Sequence, residues 1–360
     1  MSDQPVGVGV IGAGYISDIY LTNLASLFDA VRVVGVADLV AERARAQAAK
    51  YGIAALTIDD LLAHPEIEVV VNLTIPQAHA EVAFAAVRAG KSIYNEKPLT
   101  MERAESEQLL AEAAAKGLLV GCAPDTFLGG GLQTARELLD GGIIGEPVAF
   151  RATMITHGHE HWHPNPEFYY QAGVGPMFDM GPYYVTALAM LLGPVREVTS
   201  LARASFPERT ITSQQRYGET FAVQTPTHIV ANLGLQSGVI GTLTTTFDLW
   251  DTTHAAFVVY GSEGTLRLPD PNTFGGPISL LPAGSEAWEE LPITHGYTEN
   301  SRGLGVADLA RALREGGTPR ASGKLAQHVL DVMQATLDSA ARGERVCLTT
   351  TAERPEPLSS

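Results

Sequence analysis

Val6-Gly7-Val8-Gly9-Val10-Ile11-Gly12-Ala13-Gly14-Tyr15-Ile16-Ser17 decides how the rest of this chain is read. Val6–Ile11 is an apolar, β-branched run that ends in glycines, and Ala13–Phe28 has helical spacing, so the stretch reads strand, tight turn, helix. Glycines at that turn let the backbone approach a pyrophosphate seated on the positive end of the helix. A Gly-x-Gly turn alone is common, and the plain alternative is a structural turn. The context strengthens the functional reading. Val31–Asp38 alternates as a strand does, and Asp38 lies 21 residues after Ser17, where a carboxylate accepts both hydroxyls of a ribose. Ser17 stands where a third glycine often falls and is small enough to serve. Gly12, Gly14, Tyr15, Ile16 and Asp38 are therefore expected to hold a dinucleotide. A carboxylate at Asp38 repels a 2′-phosphate, and Leu39 and Val40 offer it no positive partner, so NAD is expected over NADP; Arg43 is the one nearby cation that can swing back.

Outward from this unit, strands and helices keep alternating. Helical patterns at Glu42–Tyr51, Ala78–Ala89 and Glu102–Lys116 separate strand patterns at Val69–Leu73, Ser92–Asn95 and Leu118–Cys122. Such alternation implies right-handed crossovers and a doubly wound parallel sheet. After Ala123 the pattern changes. A helix at Leu132–Asp140 leads into strand-like stretches at Val148–Thr156, Val195–Ala204, Thr227–Leu235, Gly238–Phe247 and Ala255–Gly261, with short turns between several of them. A helix from Asp179 to Leu192 interrupts them, and Gly305–Arg314 and Lys324–Ala341 follow. The expected architecture is α/β: a Rossmann domain over 1–123, then an α/β domain over 124–345 with an open, largely antiparallel sheet, then a terminal strand or loose tail over 346–360.

Composition bounds the function. The 360 residues suit two domains, and 45% apolar residues suit a folded chain. A net charge of −16 argues against nucleic acid and anionic membranes as partners. Two cysteines, Cys122 and Cys347, make no disulfide framework or zinc motif. The start, Met-Ser-Asp-Gln-Pro, lacks the basic region of a signal peptide, and no apolar run has the length of a membrane helix, so a cytoplasmic protein is expected.

Two further motifs follow parallel strands, at the ends where open α/β sheets bind ligands. They are Thr74-Ile75-Pro76-Gln77-Ala78-His79 and Glu96-Lys97-Pro98. Read bare, Lys97 is a surface charge; Pro98 holds it to an extended backbone that can aim it inward. Together with the Gly-x-Gly turn, Ala89-Gly90-Lys91, Gly142-Ile143-Ile144-Gly145-Glu146-Pro147 and Gly173-Val174-Gly175-Pro176-Met177-Phe178-Asp179-Met180-Gly181-Pro182-Tyr183, they resemble the Gfo/Idh/MocA oxidoreductases along nearly the whole chain. The resemblance implies NAD(P)-dependent chemistry on a carbohydrate, with Thr74, Pro76, His79, Glu96 and Lys97 at the cofactor. It implies a homodimer or homotetramer, no metal, and Lys97 and Asp179 as the motif lysine and aspartate. The family commonly has a histidine four residues after that aspartate; here Tyr183 stands there. Asp179 and Tyr183, at i and i+4 on the expected helix, share a face, and a tyrosine moves a proton when a cation such as Lys97 lowers its pKa. His161 or His163 is the alternative base. Ala123-Pro124-Asp125-Thr126-Phe127 also departs from many relatives, so their specificity does not transfer.

His157-Gly158-His159-Glu160-His161-Trp162-His163 holds four of the ten histidines. Alternate spacing puts them on one face if the segment is a strand, which invites a metal reading. The better reading is a substrate loop: the Trp162 indole stacks on a sugar while His161 and His163 bond hydroxyls or an anionic substituent. Asp125, Asp179, Tyr183 and Arg302 complete the expected substrate set, with Lys97 serving both ligands. Arg302 lies in a polar loop that reads equally as a helix cap. The leading functional expectation is an NAD-dependent oxidoreductase acting on a secondary hydroxyl of a sugar, polyol or glycoside. The alternative is an NAD-dependent glycoside hydrolase that oxidises carbon 3 transiently, eliminates the aglycone, adds water and reduces the product. A non-enzymatic dinucleotide sensor ranks last, because Lys97 and Asp179 are both present.

Overall fold

The computed structural model describes residues 4–254 and 256–358. Residues 1–3, from which the absence of a leader was read, lie outside the described residues, as do Ala255, the expected first residue of a strand, and the last two residues of the tail. The chain divides into two compact units, one of residues 1–129 with 297–330 and the other of residues 130–296 with 331–360. A boundary at 123/124 with a continuous second domain therefore misses the return of 297–330 to the first unit.

The first unit runs β1 Val6–Ile11, α1 Ser17–Ser26, β2 Val31–Ala37, α2 Ala41–Tyr51, β3 Ala54–Ala55, α3 Ile58–Ala63, β4 Val69–Asn72, α4 His79–Arg88, β5 Ser92–Asn95, α5 Arg103–Ala115 and β6 Val120–Cys122. The six strands pair in parallel in the order β3-β2-β1-β4-β5-β6. From β1 the chain winds first one way and then the other, which makes the β1/β4 junction the crevice of the doubly wound sheet. Both faces are covered, which is why β1, β4 and β5 are buried at every residue and why β1 and Val69–Val71 of β4 show no polar alternation. Ile11, Leu61, Ile67, Val70, Ala83, Val87, Ile93 and Leu109 form one cluster beneath that edge.

The second unit starts with α6 Gly130–Asp140, β7 Pro147–Ile155, α7 Gly175–Asp179 and α8 Gly181–Leu192. Strands β8 Val195–Arg203, β9 Glu208–Thr210, β10 Thr220–Ala222, β11 His228–Leu235, β12 Ile240–Thr246, β13 Ala256–Gly261, β14 Gly264–Leu268, β15 Ile278–Pro282 and β16 Glu289–Leu291 follow. Nine strands form one sheet in the order β16-β15-β14-β13-β7-β12-β11-β8-β17, where β17 is Val346–Cys347. Among the described residues only β7 and β12 pair in parallel within it. Inward residues alternate with exposed ones, as in β11, where Ile229, Ala231 and Leu233 are buried and Val230 is not.

Two helices close the chain, α9 Leu304–Glu315 and α10 Gly323–Arg342. Helix α9 belongs to the first unit, where Arg314 pairs with Glu68 at 2.6 Å. The tail expected to be loose is docked on the second unit. Arg354 donates to the carbonyls of Met190 and Leu191, and the Leu358 amide donates to Gln133 Oε1 at 2.7 Å. The Arg354 bonds satisfy open carbonyls at the end of α8, a partner that local composition does not reveal.

Candidate functional site

At the first unit's sheet edge, Gly12 has φ of +105°, and a Cβ there would stand 2.6 Å from the carbonyl carbon of Leu73. Only glycine fits. At Gly14 the opposite holds: a Cβ would meet no protein atom within 4 Å, so the turn opens outward. The Ser17 hydroxyl and amide both donate back to the Gly14 carbonyl, at 2.6 and 3.1 Å, and the Ile16 side chain at the N-cap makes no capping bond, which suits the start of α1 to an anion. Tyr15 beside it is fully exposed. Asp38 follows β2 and is held by two amides, Ala13 N–H to Oδ2 at 2.7 Å and Val40 N–H to Oδ1 at 2.8 Å. Each oxygen keeps a lone pair for a ribose hydroxyl. The open turn, the uncapped helix and the fixed carboxylate fit a bound dinucleotide.

Behind them is a buried amide relay. Asn72 donates to Asn95 Oδ1 at 3.0 Å and accepts the Thr74 hydroxyl at 2.6 Å, which fixes the loops after β4 and β5 against each other. Glu96 is oriented by the Tyr20 hydroxyl at 2.8 Å and by the amide of Lys97 at 3.0 Å. Lys97 is half-buried. His79, expected at the cofactor, is instead wholly buried, with Nδ1 2.6 Å from the Pro98 carbonyl and Nε2 3.1 Å from the Thr74 carbonyl. It ties Pro76's loop to Lys97's loop, and burial holds its pKa below the ordinary histidine value. Asp125, expected in the substrate set, is likewise buried. Its Oδ2 accepts the amides of Gly303 and Gly305 at 2.8 and 3.0 Å, capping α9 from 178 residues away. Burial raises its pKa to about 6. Arg302 is half-buried beside that cap and donates to Asn300 Oδ1 at 2.9 Å.

In the second unit β7 ends at Ile155, and the histidine segment is a folded loop rather than a strand. Its four histidines accordingly point to different places. His159 is buried, His161 exposed, and His157 and His163 half-buried. His163 Nδ1 accepts the Asn165 amide at 3.0 Å, and burial lowers its pKa. Among the described residues no three His, Cys, Asp or Glu side chains are grouped to hold a metal.

The histidine that meets the motif aspartate is His159, whose Nε2 lies 3.1 Å from Asp179 Oδ2. Its ring packs against Tyr169, Phe247 and Trp162. Asp179 and Tyr183 do not share one helix. Asp179 ends α7, and Tyr183 lies in the first turn of α8, because Pro182 has no N–H with which to continue the ladder. The loop is anchored by a buried guanidinium that the sequence reading missed. Arg209 pairs with Glu160 and stands 3.6 Å from Asp248. Gly158 crosses directly over this cluster at φ of +84°, and a Cβ there would collide with the Tyr170 hydroxyl at 2.1 Å.

The first unit is thus a doubly wound α/β domain whose sheet edge fits a dinucleotide. Residues 6–123 match the oxidoreductase family with an NAD-binding Rossmann fold, and residues 132–267 match the GFO/IDH/MocA C-terminal domain. The chain belongs to the GFO/IDH/MocA family, and its first unit is an NAD-binding domain. It is 32% identical to inositol 2-dehydrogenase of Salmonella paratyphi B over 42% of this chain and 45% of that enzyme, so the match spans under half of that relative. Levoglucosan dehydrogenase of Pseudarthrobacter phenanthrenivorans is 23% identical over 94% of this chain and 97% of its own. A structure of levoglucosan dehydrogenase with NADH and L-sorbose superposes with a TM-score of 0.81 at 21% identity, covering 96% of this chain and 99% of that one, which shows the fold. Among the described residues no helix is long and apolar enough to cross a membrane.

Proposed function

We propose that the protein is an NAD-dependent dehydrogenase of a secondary hydroxyl on a sugar, polyol or glycoside. The observation that carries this reading is the order of groups along the first unit's sheet edge. Asp38 after β2, the glycine turn after β1, Thr74 after β4 and Lys97 after β5 stand on adjacent strands. Three strand spacings, about 14 Å, separate the ribose-type carboxylate from the lysine. Ribose acceptor, anion turn and cation follow one another as the parts of a dinucleotide and its substrate do.

When bound, NAD supplies the hydride acceptor. The chain's own residues do the rest. Asp38 accepts the ribose hydroxyls and the start of α1 receives the pyrophosphate. The Lys97 ammonium donates to the substrate hydroxyl oxygen and stabilises the negative charge that develops there as the hydroxyl proton is removed, before hydride leaves the carbinol carbon and the carbonyl forms. Tyr183 takes the hydroxyl proton, with Asp179 orienting the substrate. The 3.1 Å bond from His159 to Asp179 favours a second reading, in which that imidazole–carboxylate pair accepts the proton. Family resemblance supports a homodimer or homotetramer. The sheet's outer face, with Leu201 78% and Ile240 64% exposed, is consistent with one.

Titration with NAD and NADP, followed by absorbance at nicotinamide wavelengths over a panel of sugars, polyols and glycosides, tests the proposal. NAD binding with accumulation of NADH is expected. Release of an aglycone under catalytic NAD with no NADH accumulating would replace it with the hydrolytic alternative, and absence of nucleotide binding would refute both.

A further inference from the structure

Trp250 has no place in the reaction described above, yet it is built into the second unit with care. It is 80% exposed, and its indole lies on the His157 imidazole with ring centroids 3.3 Å apart and planes inclined by 18°. One face of the indole is thereby covered and the ring held flat, and the other face is open. The two residues come from different segments. His157 follows β7 and Trp250 follows β12, and these strands are parallel neighbours with Thr246 opposite Ile155, so both segments leave the same end of the sheet.

The stack is preorganised from below. Arg209 Nη2 donates to the His157 carbonyl at 3.3 Å and to the Phe247 carbonyl at 2.6 Å, clamping the two segments with one buried group. Glu160 and Asp248, one carboxylate from each segment, balance that guanidinium. Phe247 in turn packs on the ring of His159, the partner of Asp179. The platform is therefore fixed to the residues that hold the motif aspartate. Burial and the Arg209 charge both push the His157 pKa down, away from the cationic form.

We propose that the open face of Trp250 is the floor of a second subsite, which takes a ring linked to the reacting sugar. This rests on the carbohydrate reading and narrows it to glycosides. The ring is either an aryl aglycone or a neighbouring pyranose, since both offer an apolar face of C–H groups or π-electrons to the indole. A bare monosaccharide leaves the platform empty.

Calorimetric titration of the NAD-loaded protein tests this with three probes of each common hexose: the methyl glycoside, the phenyl glycoside and the methyl glycoside of the corresponding disaccharide. Wild type is expected to bind a two-ring probe about fivefold to tenfold more tightly than the methyl glycoside, the range that one aromatic stack provides. Trp250→Ala should bring that ratio to about one, and Trp250→Phe should leave it intermediate. A gain confined to phenyl probes identifies an aryl aglycone, and a gain for disaccharides a neighbouring sugar; either supports the subsite. A ratio unchanged in Trp250→Ala, or a ratio of one in wild type, overturns it while leaving the dehydrogenase reading intact. Failure of every probe to bind overturns the carbohydrate reading on which it stands.

Discussion

The nucleotide edge of the first unit and the histidine loop of the second are held by different means. The edge is made of backbone: a turn only Gly12 can make, amides that fix Asp38, and helix N–H groups, all within some 26 residues of one another. The loop is made of side-chain charge, with Glu160 reaching Arg209 across 49 residues of sequence. Backbone sites of the first kind are stiff and indifferent to distant substitutions. A loop anchored on buried ions fails as a unit when one ion is lost, because the remaining carboxylates are left without a counter-charge.

The largest expected effect breaks that second anchor. Arg209→Met leaves Glu160 and Asp248 buried and unpaired, and a loss of about 3–5 kcal/mol in unfolding free energy should follow. Denaturant titration of the variant checks this, and NAD affinity, which depends on the other unit, should not move. Next is Asp125, a charge buried within the first unit. Because its folded pKa of about 6 lies above the unfolded value, its contribution is fully present below the unfolded pKa and is lost as pH rises through 6. Asp125→Asn keeps an acceptor for the α9 cap and removes this cost. Its stability relative to wild type should therefore rise by about 3 kcal/mol from about pH 4 to about pH 7, a two-unit shift at roughly 1.4 kcal/mol each. Thermal unfolding at the two pH values measures the difference. The smallest effect is at Asp38→Asn, which loses the charge-assisted bonds to ribose. NAD affinity should fall about tenfold to thirtyfold, and the preference over NADP should shrink in parallel.

The same contrast explains what could be read from sequence. The places of Gly12 and Asp38 were legible because strand–turn–helix chemistry is local, and their spacing follows from the geometry of one crossover. The alternating runs of both sheets were legible for the same reason, as was the antiparallel bias of the second. His159, Arg209 and Trp250 were not. Four histidines at alternate positions suggested a strand face, whereas a loop folded over a distant guanidinium gives each a separate environment. Gly158 was the available signal, a glycine between two histidines where any side chain would strike the buried cluster. Asp179 and Tyr183 fall on two helices rather than one because Pro182 breaks the ladder between them. The burial of Asp125 and His79 was not legible because their partners, the Gly303 and Gly305 amides and the Pro98 carbonyl, are set by tertiary contact.

On the proposed reading, Lys97 works on the reacting hydroxyl rather than on the nucleotide alone. Single-turnover reduction of NAD by wild type and Lys97→Met, at saturating cofactor and with the best substrate from the panel, tests it most directly. NADH formation should slow by about 10²–10⁴-fold in the variant while the dissociation constant for NAD changes by less than about threefold, a difference under 1 kcal/mol. A variant that forms NADH at the wild-type rate would contradict the account.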